Sequence, residues 1–300
     1  MDQQSENFRF GFVAIAGRPN VGTSTLLNRI VGRELSIVTP KAQTTRTRVS
    51  GINTTQDAQM VLLDTPGIHE AKTTLNKAMV DAAVKTLNEV DVVVLMTTPS
   101  NKVLEEDRRI VELISAVGVP AVLAVNKIDT VRATDLLPII DAYSKVHDFT
   151  DIVPISALNG SGVPDLVGVL LRILPFGPLM YPEDDESDMP IRFFVAEIIR
   201  EQVTLLTGEE IPYKTAVMVE SFQEKLELVV IHADIHVERS GQKKIIIGKG
   251  GSMIKRIGTA AREKIEDLIQ NKVHLELFVK VTPRWTTHKG RLREFGYLTK

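Results

Sequence analysis

The sequence contains no cysteine, a single tryptophan and no apolar run of the length that a membrane-spanning helix needs, which is about 18–20 residues. The lack of cysteine excludes a disulfide framework and a thiolate metal site. Residues 1–7 are polar and lack the basic and apolar regions of a secretory signal. We therefore expect a globular protein of the cytoplasm that has no transmembrane segment.

The rest of the composition fits a two-domain protein whose halves differ in charge. The 300 residues leave room for two domains, and a hydrophobic content of 43% is ordinary for a globular chain. Residues 190–300 carry 19 Lys and Arg against 14 Asp and Glu, a net charge of +5, whereas residues 1–189 carry 17 against 24, a net charge of −7. This asymmetry favours a nucleic-acid surface in the C-terminal half.

The first 175 residues alternate short apolar runs with helical periodicity. The runs that predict buried strands are Gly11 to Ala16, Met60 to Leu63, Val90 to Met96, Pro120 to Val125 and Asp151 to Ile155. Helices are predicted between them, for example over Leu75 to Leu87 and Glu105 to Val117. Such alternation predicts an α/β fold with a mostly parallel, doubly wound sheet, in which ligands bind at the carboxyl ends of the strands.

A proline-bracketed acidic stretch follows the α/β region. Its four consecutive acidic residues, 183–186, cannot form a core and predict a linker over 179–190, between domains at 1–178 and 191–300. The second domain is predicted as a smaller α+β unit. Its elements are a helix from Phe193 to Leu206, strands from Tyr213 to Phe222 and Lys225 to Val237, a helix from Ser252 to Gln270 and a strand from Lys272 to Val281.

A phosphate-binding loop is predicted directly after the first strand. The P-loop pattern is G-x-x-x-x-G-K-[ST], and Gly17, Gly22 and Ser24 fit it, but Thr23 stands in the lysine position. Taken alone, this stretch also fits a plain strand-to-helix turn. The positions assigned to phosphate binding are Gly17, Arg18, Pro19, Asn20, Val21, Gly22, Thr23, Ser24 and Thr25.

Two further motifs follow predicted strands in the order that a GTP-binding domain requires. Asp64, Thr65, Pro66, Gly67 and Ile68 form the first, in which a carboxylate suits magnesium and a glycine N–H suits a phosphate. Asn126, Lys127, Ile128 and Asp129 form the second. The Asp129 carboxylate can accept two hydrogen bonds from guanine that adenine cannot supply, which selects GTP over ATP. Ser156, Ala157 and Leu158 complete the predicted base pocket.

The C-terminal half contains a glycine loop of the KH type. Ile247, Gly248, Lys249, Gly250 and Gly251 precede a predicted helix that carries Lys255 and Arg256, so that the backbone and the positive charges can approach RNA phosphates. A Rossmann fingerprint would need glycine where Met253 stands. A turn without a ligand remains the alternative. The basic tail from Lys280 adds Arg284 and Trp285 as candidate RNA contacts, with a solvated terminus as the alternative.

The motifs GRPNVGTSTLLN, KAQTTRTR, LLDTPGIH, NKID and SALNGSG resemble those of the Era family of bacterial ribosome-assembly GTPases, from Phe10 to about Gly296. The resemblance implies hydrolysis of GTP to GDP and phosphate with Mg²⁺, which Ser24 and Thr45 would ligate, Thr44 being the alternative to Thr45. It also implies catalytic roles for Asn20, Thr45, Asp64 and Gly67, with Asn20 placed to bind potassium. The implied partners are the 3′ end of 16S rRNA and the 30S subunit. A monomer with weak peripheral association with the cell membrane is also implied.

Thr23 leaves two functions open. The first is a GTP-controlled RNA binder, and the second is an RNA-binding assembly factor whose GTPase domain is impaired or only a scaffold. A tRNA-modifying or ribosome-arm GTPase would lack the C-terminal glycine loop. His232, Asp234 and His236 share one face of a predicted strand, and we interpret them as a strand face without a metal, because no further ligand is evident in the sequence.

Overall fold

The computed structural model describes residues 7–41, 43–71, 73–100, 102–208 and 210–298 of the chain. These residues divide into two compact units. Unit 1 comprises the described residues within 1–36, 42–71 and 79–188, and unit 2 comprises those within 37–41, 72–78 and 189–300. In this described part of the chain, no helix is both long enough and apolar enough to cross a membrane.

The N-terminal part of the chain forms an α/β fold. Its elements are β1 Arg9–Gly17, α1 Thr23–Val31, β2 Val49–Thr54, β3 Ala58–Asp64, α2 Thr74–Leu87, β4 Val92–Thr97, α3 Glu105–Val117, β5 Ala121–Val125, α4 Leu136–Ser144, β6 Asp151–Pro154 and α5 Val163–Ile173. The strands pair in the order β2-β3-β1-β4-β5-β6. All pairs are parallel except the antiparallel pair of β2 and β3. The predicted fold class is confirmed, and β1, β3 and β5 all end at the edge of the sheet where the predicted motifs begin.

The edge strand of this sheet, β2, is not among the strands predicted from the sequence. The acidic stretch predicted as a linker lies along it: Ile52 N–H donates to the Glu186 carbonyl oxygen at 2.8 Å, and Ser187 Oγ donates to the Ser50 carbonyl oxygen at 2.7 Å. The stretch therefore belongs to unit 1 as far as Asp188. The boundaries at 178 and 190 stay predictions.

Unit 2 contains a three-stranded sheet packed against helices. Its elements are α6 Ile191–Leu206, β7 Ala216–Lys225, β8 Leu228–Val237, α7 Ser240–Ile247, α8 Ser252–Ile269, β9 Val273–Val281 and α9 Lys289–Glu294. The central strand β8 is antiparallel to β7 and parallel to β9. Helix α8 buries Ile257, Ala261 and Ile265 at helical spacing against the core, as the apolar periodicity predicts.

Candidate nucleotide site and nucleic-acid interface

The loop between β1 and α1 depends on two glycines. A Cβ atom on Gly17 would lie 2.7 Å from the Met96 carbonyl oxygen, and one on Gly22 would lie 2.4 Å from Asn126 Nδ2. Gly22 also has φ 106°, which favours glycine, and helix α1 begins at the next residue, Thr23. The N–H groups of this helix N-terminus and its dipole form an anion site. The backbone therefore has the P-loop arrangement even though the lysine is missing.

Asp64, the last residue of β3, is fully buried and collects hydroxyl groups from three segments. Ser24 Oγ and Ser36 Oγ each donate to Asp64 Oδ2 at 2.6 Å. Thr45 Oγ1 lies 3.4 Å from the same oxygen and 2.9 Å from Ser24 Oγ. The structure thus brings together Ser24, Thr45 and Asp64 as predicted. Ser36 was missed, because a lone serine in a loop gives no sequence signal.

The negative charge of the buried Asp64 carboxylate is only partly offset by its hydrogen bonds. Burial raises the pKa of Asp64, and the hydrogen bonds from the Ser24, Ser36 and Thr45 hydroxyl groups offset this rise only in part. Its second oxygen, Oδ1, is buried and has no hydrogen-bond partner among the described residues. A buried, unsatisfied carboxylate oxygen beside hydroxyl oxygens is the donor set that Mg²⁺ prefers. The residues therefore fit the magnesium ion that the motifs predict.

Arg18 of the P-loop forms an ion pair with Asp107, a residue that was not among the predicted site residues. Its Nε lies 2.7 Å from Oδ1 of Asp107 in α3. The buried Asp107 also accepts hydrogen bonds from Tyr143 Oη at 2.6 Å and Thr97 Oγ1 at 3.2 Å. Burial, followed by the contact with Asp107, raises the pKa of Tyr143. The Arg18 guanidinium is thus held in a buried network.

The segment after Asp64 lies against the P-loop. Ile68 N–H donates to the Gly17 carbonyl oxygen at 3.0 Å. A Cβ atom on Gly67 would lie 2.9 Å from Pro19 N, so glycine is needed here for a close backbone approach. The contact with a phosphate that the sequence predicts for the Gly67 N–H stays a prediction. The other residues of the segment, Thr65 and Pro66, are buried.

Asn126 joins the base-recognition segments to the P-loop. Its Nδ2 donates to the Val21 carbonyl oxygen at 2.7 Å, and its Oδ1 accepts a hydrogen bond from Ala157 N–H at 2.8 Å. Lys127 Nζ donates to the Asn20 carbonyl oxygen at 2.8 Å, and both of these residues have φ 66°. Three predicted motifs are therefore held together by two side chains.

The predicted base pocket opens beside these contacts. Asp129 lies in a short 3-10 turn, Ile128–Thr130, and its side chain is exposed and accessible to a base. Ser156 is buried, whereas Leu158 is exposed. Arg29 Nε donates to the Ala157 carbonyl oxygen at 3.2 Å, which fixes the loop that ends the pocket.

In unit 2 the predicted RNA loop connects α7 to α8. Gly248 has φ 73°, and a Cβ atom there would lie 2.7 Å from Met253 N; Gly250 and Gly251 also have positive φ, 60° and 80°, but face open space. The N–H groups of Gly248 and Gly251 donate to the carbonyl oxygens of Lys244 and Gly248, at 2.9 and 3.2 Å, so that the positive charge of the loop comes from its side chains. The exposed cations of the loop and of the following helix are Lys249, Lys255 and Arg256.

An open groove of about 630 Å³ runs beside this loop. Ile247 and Ile254 flank the glycines and line it together with Phe278 of the edge strand β9. Lys243 and Lys280 line the same groove together with the acidic residues Glu220 and Asp234, and Lys280 forms an ion pair with Asp234. The apolar walls suit stacked bases, while the exposed cations Lys249, Lys255 and Arg256 beside the groove suit phosphates.

The prediction that Trp285 stacks on RNA is wrong for this structure. The side chain is fully buried, and its indole Nε1 donates to the Lys214 carbonyl oxygen at 3.0 Å. Its ring packs against Phe295 and Tyr297, with centroids 5.3 and 5.8 Å away. The tryptophan therefore anchors the C-terminal segment to unit 2. Arg284 is exposed, and its RNA contact stays a prediction.

Two family models match the chain. The model described as a 50S ribosome-binding GTPase matches residues 12–127, and the KH domain model matches residues 210–286. The fold and the two glycine loops thus define the class, a P-loop GTPase joined to a KH domain.

Similar proteins narrow the class to one family. GTPase Era of Geotalea uraniireducens is 50% identical to this chain, and GTPase Era of Geobacter sp. (strain M21) is 48% identical; each match covers 97% of the chain and 99% of the relative. The chain belongs to the GTPase Era family. A solved structure of Aquifex aeolicus Era bound to GDP and AlF4⁻ superposes with a TM-score of 0.94 at 42% identity, over 97% of this chain and all of that one. A complex of Era with MgGDPNP and nucleotides 1506–1542 of 16S ribosomal RNA also has a TM-score of 0.94, at 41% identity over 97% of this chain and all of that one.

Proposed function

We propose that this chain couples the binding and hydrolysis of GTP to the binding of the 3′ end of 16S rRNA during assembly of the 30S subunit. The Era complex with MgGDPNP and nucleotides 1506–1542 of 16S rRNA supports this proposal, since this chain shares its fold at 41% identity over 97% of its length. The observation that carries the proposal is the presence, in one chain, of the hydroxyl-lined Asp64 site and the exposed Lys249 loop.

At the nucleotide site, the N–H groups of residues 17–24 would hold the phosphates. Ser24 and Thr45 would ligate Mg²⁺, with Asp64 accepting hydrogen bonds from them; the 2.9 Å distance between the two hydroxyl oxygens supports Thr45 over Thr44. The metal would neutralise charge between the phosphates. Asp129 would accept hydrogen bonds from guanine, because its carboxylate is exposed beside the loop that Asn126 fixes.

The hydrolytic water needs a partner other than a glutamine side chain. Ile68 occupies the position that glutamine holds in many GTPases, and its side chain is apolar and buried. Asn20, whose side chain is exposed at the P-loop, is our candidate ligand for a potassium ion that would stabilise the developing charge.

A second function is favoured by one residue. Thr23 supplies a neutral hydroxyl where a lysine would carry a positive charge to the β- and γ-phosphates. In this alternative, the chain is an RNA-binding assembly factor whose GTPase domain hydrolyses GTP poorly or serves as a scaffold.

The test measures both ligands on the full chain. A single-stranded oligonucleotide with the 3′-end sequence of 16S rRNA is titrated in the presence of GDP and of a non-hydrolysable GTP analogue, and GTP turnover is followed separately. Coupling requires the two RNA dissociation constants to differ, by a free energy of typically about 1–3 kcal/mol. RNA binding that is equal in both states, with no turnover, would establish the second function. No RNA binding at all would refute both.

For location we propose a monomer in the cytoplasm with weak peripheral association with the cell membrane. The support is the family resemblance. Flotation of the protein with vesicles of anionic lipid tests it, and a protein that stays wholly at the bottom of the gradient would contradict the membrane part.

A further inference from the structure

One face of the sheet in unit 2 carries a cluster of three ligand-type side chains, two of which are buried. Asp234 and His236 of β8 lie on the face opposite to the core residues Ala233 and Ile235, and they are only 2% and 7% exposed. Together with Glu220 of β7, each offers a nitrogen or oxygen atom within 4.8 Å of those of the other two. Among the described residues this is the cluster whose atoms lie close enough to share one ion.

A β-bulge brings Glu220 to this cluster. Val219 pairs with Ala233 and Ser221 pairs with His232, so Glu220 is the extra residue between two successive partners on β8. Bulges of this kind redirect a side chain, and here the Glu220 carboxylate lies within 4.8 Å of the ligand atoms of Asp234 and His236. The sequence shows only the alternation along β8, which is why our sequence interpretation of a strand face without a further ligand is incomplete.

The His236 ring is held through one nitrogen only. Its Nδ1 lies 2.9 Å from Thr282 Oγ1, and its ring packs on Phe295 with centroids 4.7 Å apart. The ring is therefore fixed, and the other nitrogen, Nε2, is buried and has no hydrogen-bond partner among the residues that the structure describes. An imidazole held through one nitrogen with the other left unsatisfied is the arrangement of a metal ligand.

We propose that Glu220, Asp234 and His236 form a binding site for a divalent transition-metal ion of the Zn²⁺ type. One imidazole and two carboxylates match the ligand preference of such an ion and leave a fourth position for water. Tetrahedral coordination at about 2.0–2.2 Å needs ligand atoms roughly 3.3 Å apart. The three ligand atoms already lie within 4.8 Å of one another, so that each pair needs to approach by at most about 1.5 Å.

Lys280 is paired with one of the three proposed ligands, Asp234. Its ammonium group forms an ion pair with Asp234, and its side chain is 55% exposed, so that it can leave towards solvent. A metal ion and the ammonium group compete for the same carboxylate. Metal binding therefore releases the Lys280 charge into the groove that Lys280 already lines.

The experiment titrates the nucleotide-free full chain with Zn²⁺ alone against a competing chromophoric chelator. We expect one Zn²⁺ per chain, and a weakening of at least about tenfold in His236→Gln and Glu220→Gln. His232→Gln is the matched control, because it lies on the same face of the same strand but pairs with Glu276 at 3.8 Å. Lys280→Met should bind Zn²⁺ more tightly than the wild type, since the competing charge is gone.

Equal affinity in the wild type and Glu220→Gln would overturn the proposal, as would weakening of the same size in His232→Gln. Weaker binding in Lys280→Met would also contradict it. Circular dichroism checks that each variant is folded. If His236→Gln does not fold, Glu220→Gln carries the test, because Glu220 is exposed and outside the hydrophobic core.

Discussion

Replacing Thr23 with lysine should tighten GTP binding and raise turnover, because it restores a positive charge at the first residue of α1. In this structure Thr23 adjoins Ser24, whose hydroxyl donates to the Asp64 carboxylate at 2.6 Å, and burial raises the pKa of Asp64. A lysine ammonium would reach the phosphates and also lie near this poorly compensated carboxylate. Lysine is, in addition, a better helix former than threonine.

The expected gain in GTP affinity depends on whether another cation near the phosphates already replaces the missing lysine. Arg18 Nε is paired with Asp107 Oδ1 at 2.7 Å, and Lys127 Nζ is bonded to the Asn20 carbonyl oxygen at 2.8 Å, so both cations of the neighbouring motifs are engaged. The lysine contact is therefore not duplicated. One charge-assisted hydrogen bond contributes about 1.5–3 kcal/mol, which corresponds to roughly 10- to 150-fold in affinity. The effect on turnover should be larger, because charge develops on the phosphate oxygens in the transition state.

The assay compares GTP dissociation constants and single-turnover rates of the wild type, Thr23→Lys and Thr23→Met. Methionine has a similar reach to lysine but no charge, so Thr23→Met should not tighten binding. Measurements in potassium and in sodium buffers show whether a bound monovalent ion already replaces the lysine. If Thr23→Lys and Thr23→Met have the same affinity and rate as the wild type in both buffers, the reasoning from the missing charge is refuted.

Four further predictions concern the other sites. Asp129→Asn should shift preference from GTP towards xanthosine triphosphate, because amide donors then face an acceptor on the base; unchanged discrimination in a competition assay would remove Asp129 from the base pocket. Replacing Lys249 and Gly250 together by Asp should lower the affinity for the rRNA 3′ oligonucleotide by about two orders of magnitude and reduce its salt dependence, with nucleotide affinity retained; equal RNA affinities would refute the KH interface. In the folded, nucleotide-free protein the pKa of Asp64 is raised, so the Asp64 carboxyl group keeps its proton to higher pH than in the unfolded chain. The free energy of unfolding should therefore fall as pH rises from about 3.9 through the raised pKa. Urea titrations of Asp64→Asn should lack this part of the fall. Trp285→Ala should cost about 3–5 kcal/mol of stability, whereas Trp285→Phe should leave RNA affinity unchanged; a large loss of RNA binding in the folded Phe variant would restore the stacking role.

The motifs of the nucleotide site could be predicted because local sequence encodes their local structure. Gly17 and Gly22 mark backbone positions that a side chain would block, and Asp64 and Asn126 follow apolar strands that the sheet must bury. Parallel strands then bring these ends to one edge. The contacts between motifs were not predictable, because the Arg18 pairing with Asp107 depends on tertiary packing over 89 positions of sequence.

The C-terminal unit shows the same limit more clearly. The glycine loop was evident from its spacing, yet the basic composition around Trp285 predicted an exposed ring. Its burial depends on packing against Phe295 and Tyr297, which follow α9 in the chain. Likewise Glu220 joins Asp234 only through a bulge, and a one-residue irregularity in pairing leaves no mark in the alternation of residues.

The amide of Asn126 has a consequence for how nucleotide specificity can change. The amide bonds to Val21 of the P-loop and to Ala157 of the base loop at once, so its loss should weaken the binding of every nucleotide, whatever its base. Asp129, which we expect to set the base preference, is exposed and can be replaced without breaking the two hydrogen bonds of Asn126. Selection for a new base, in the laboratory or in nature, therefore has its accessible route through Asp129, while Asn126 stays fixed.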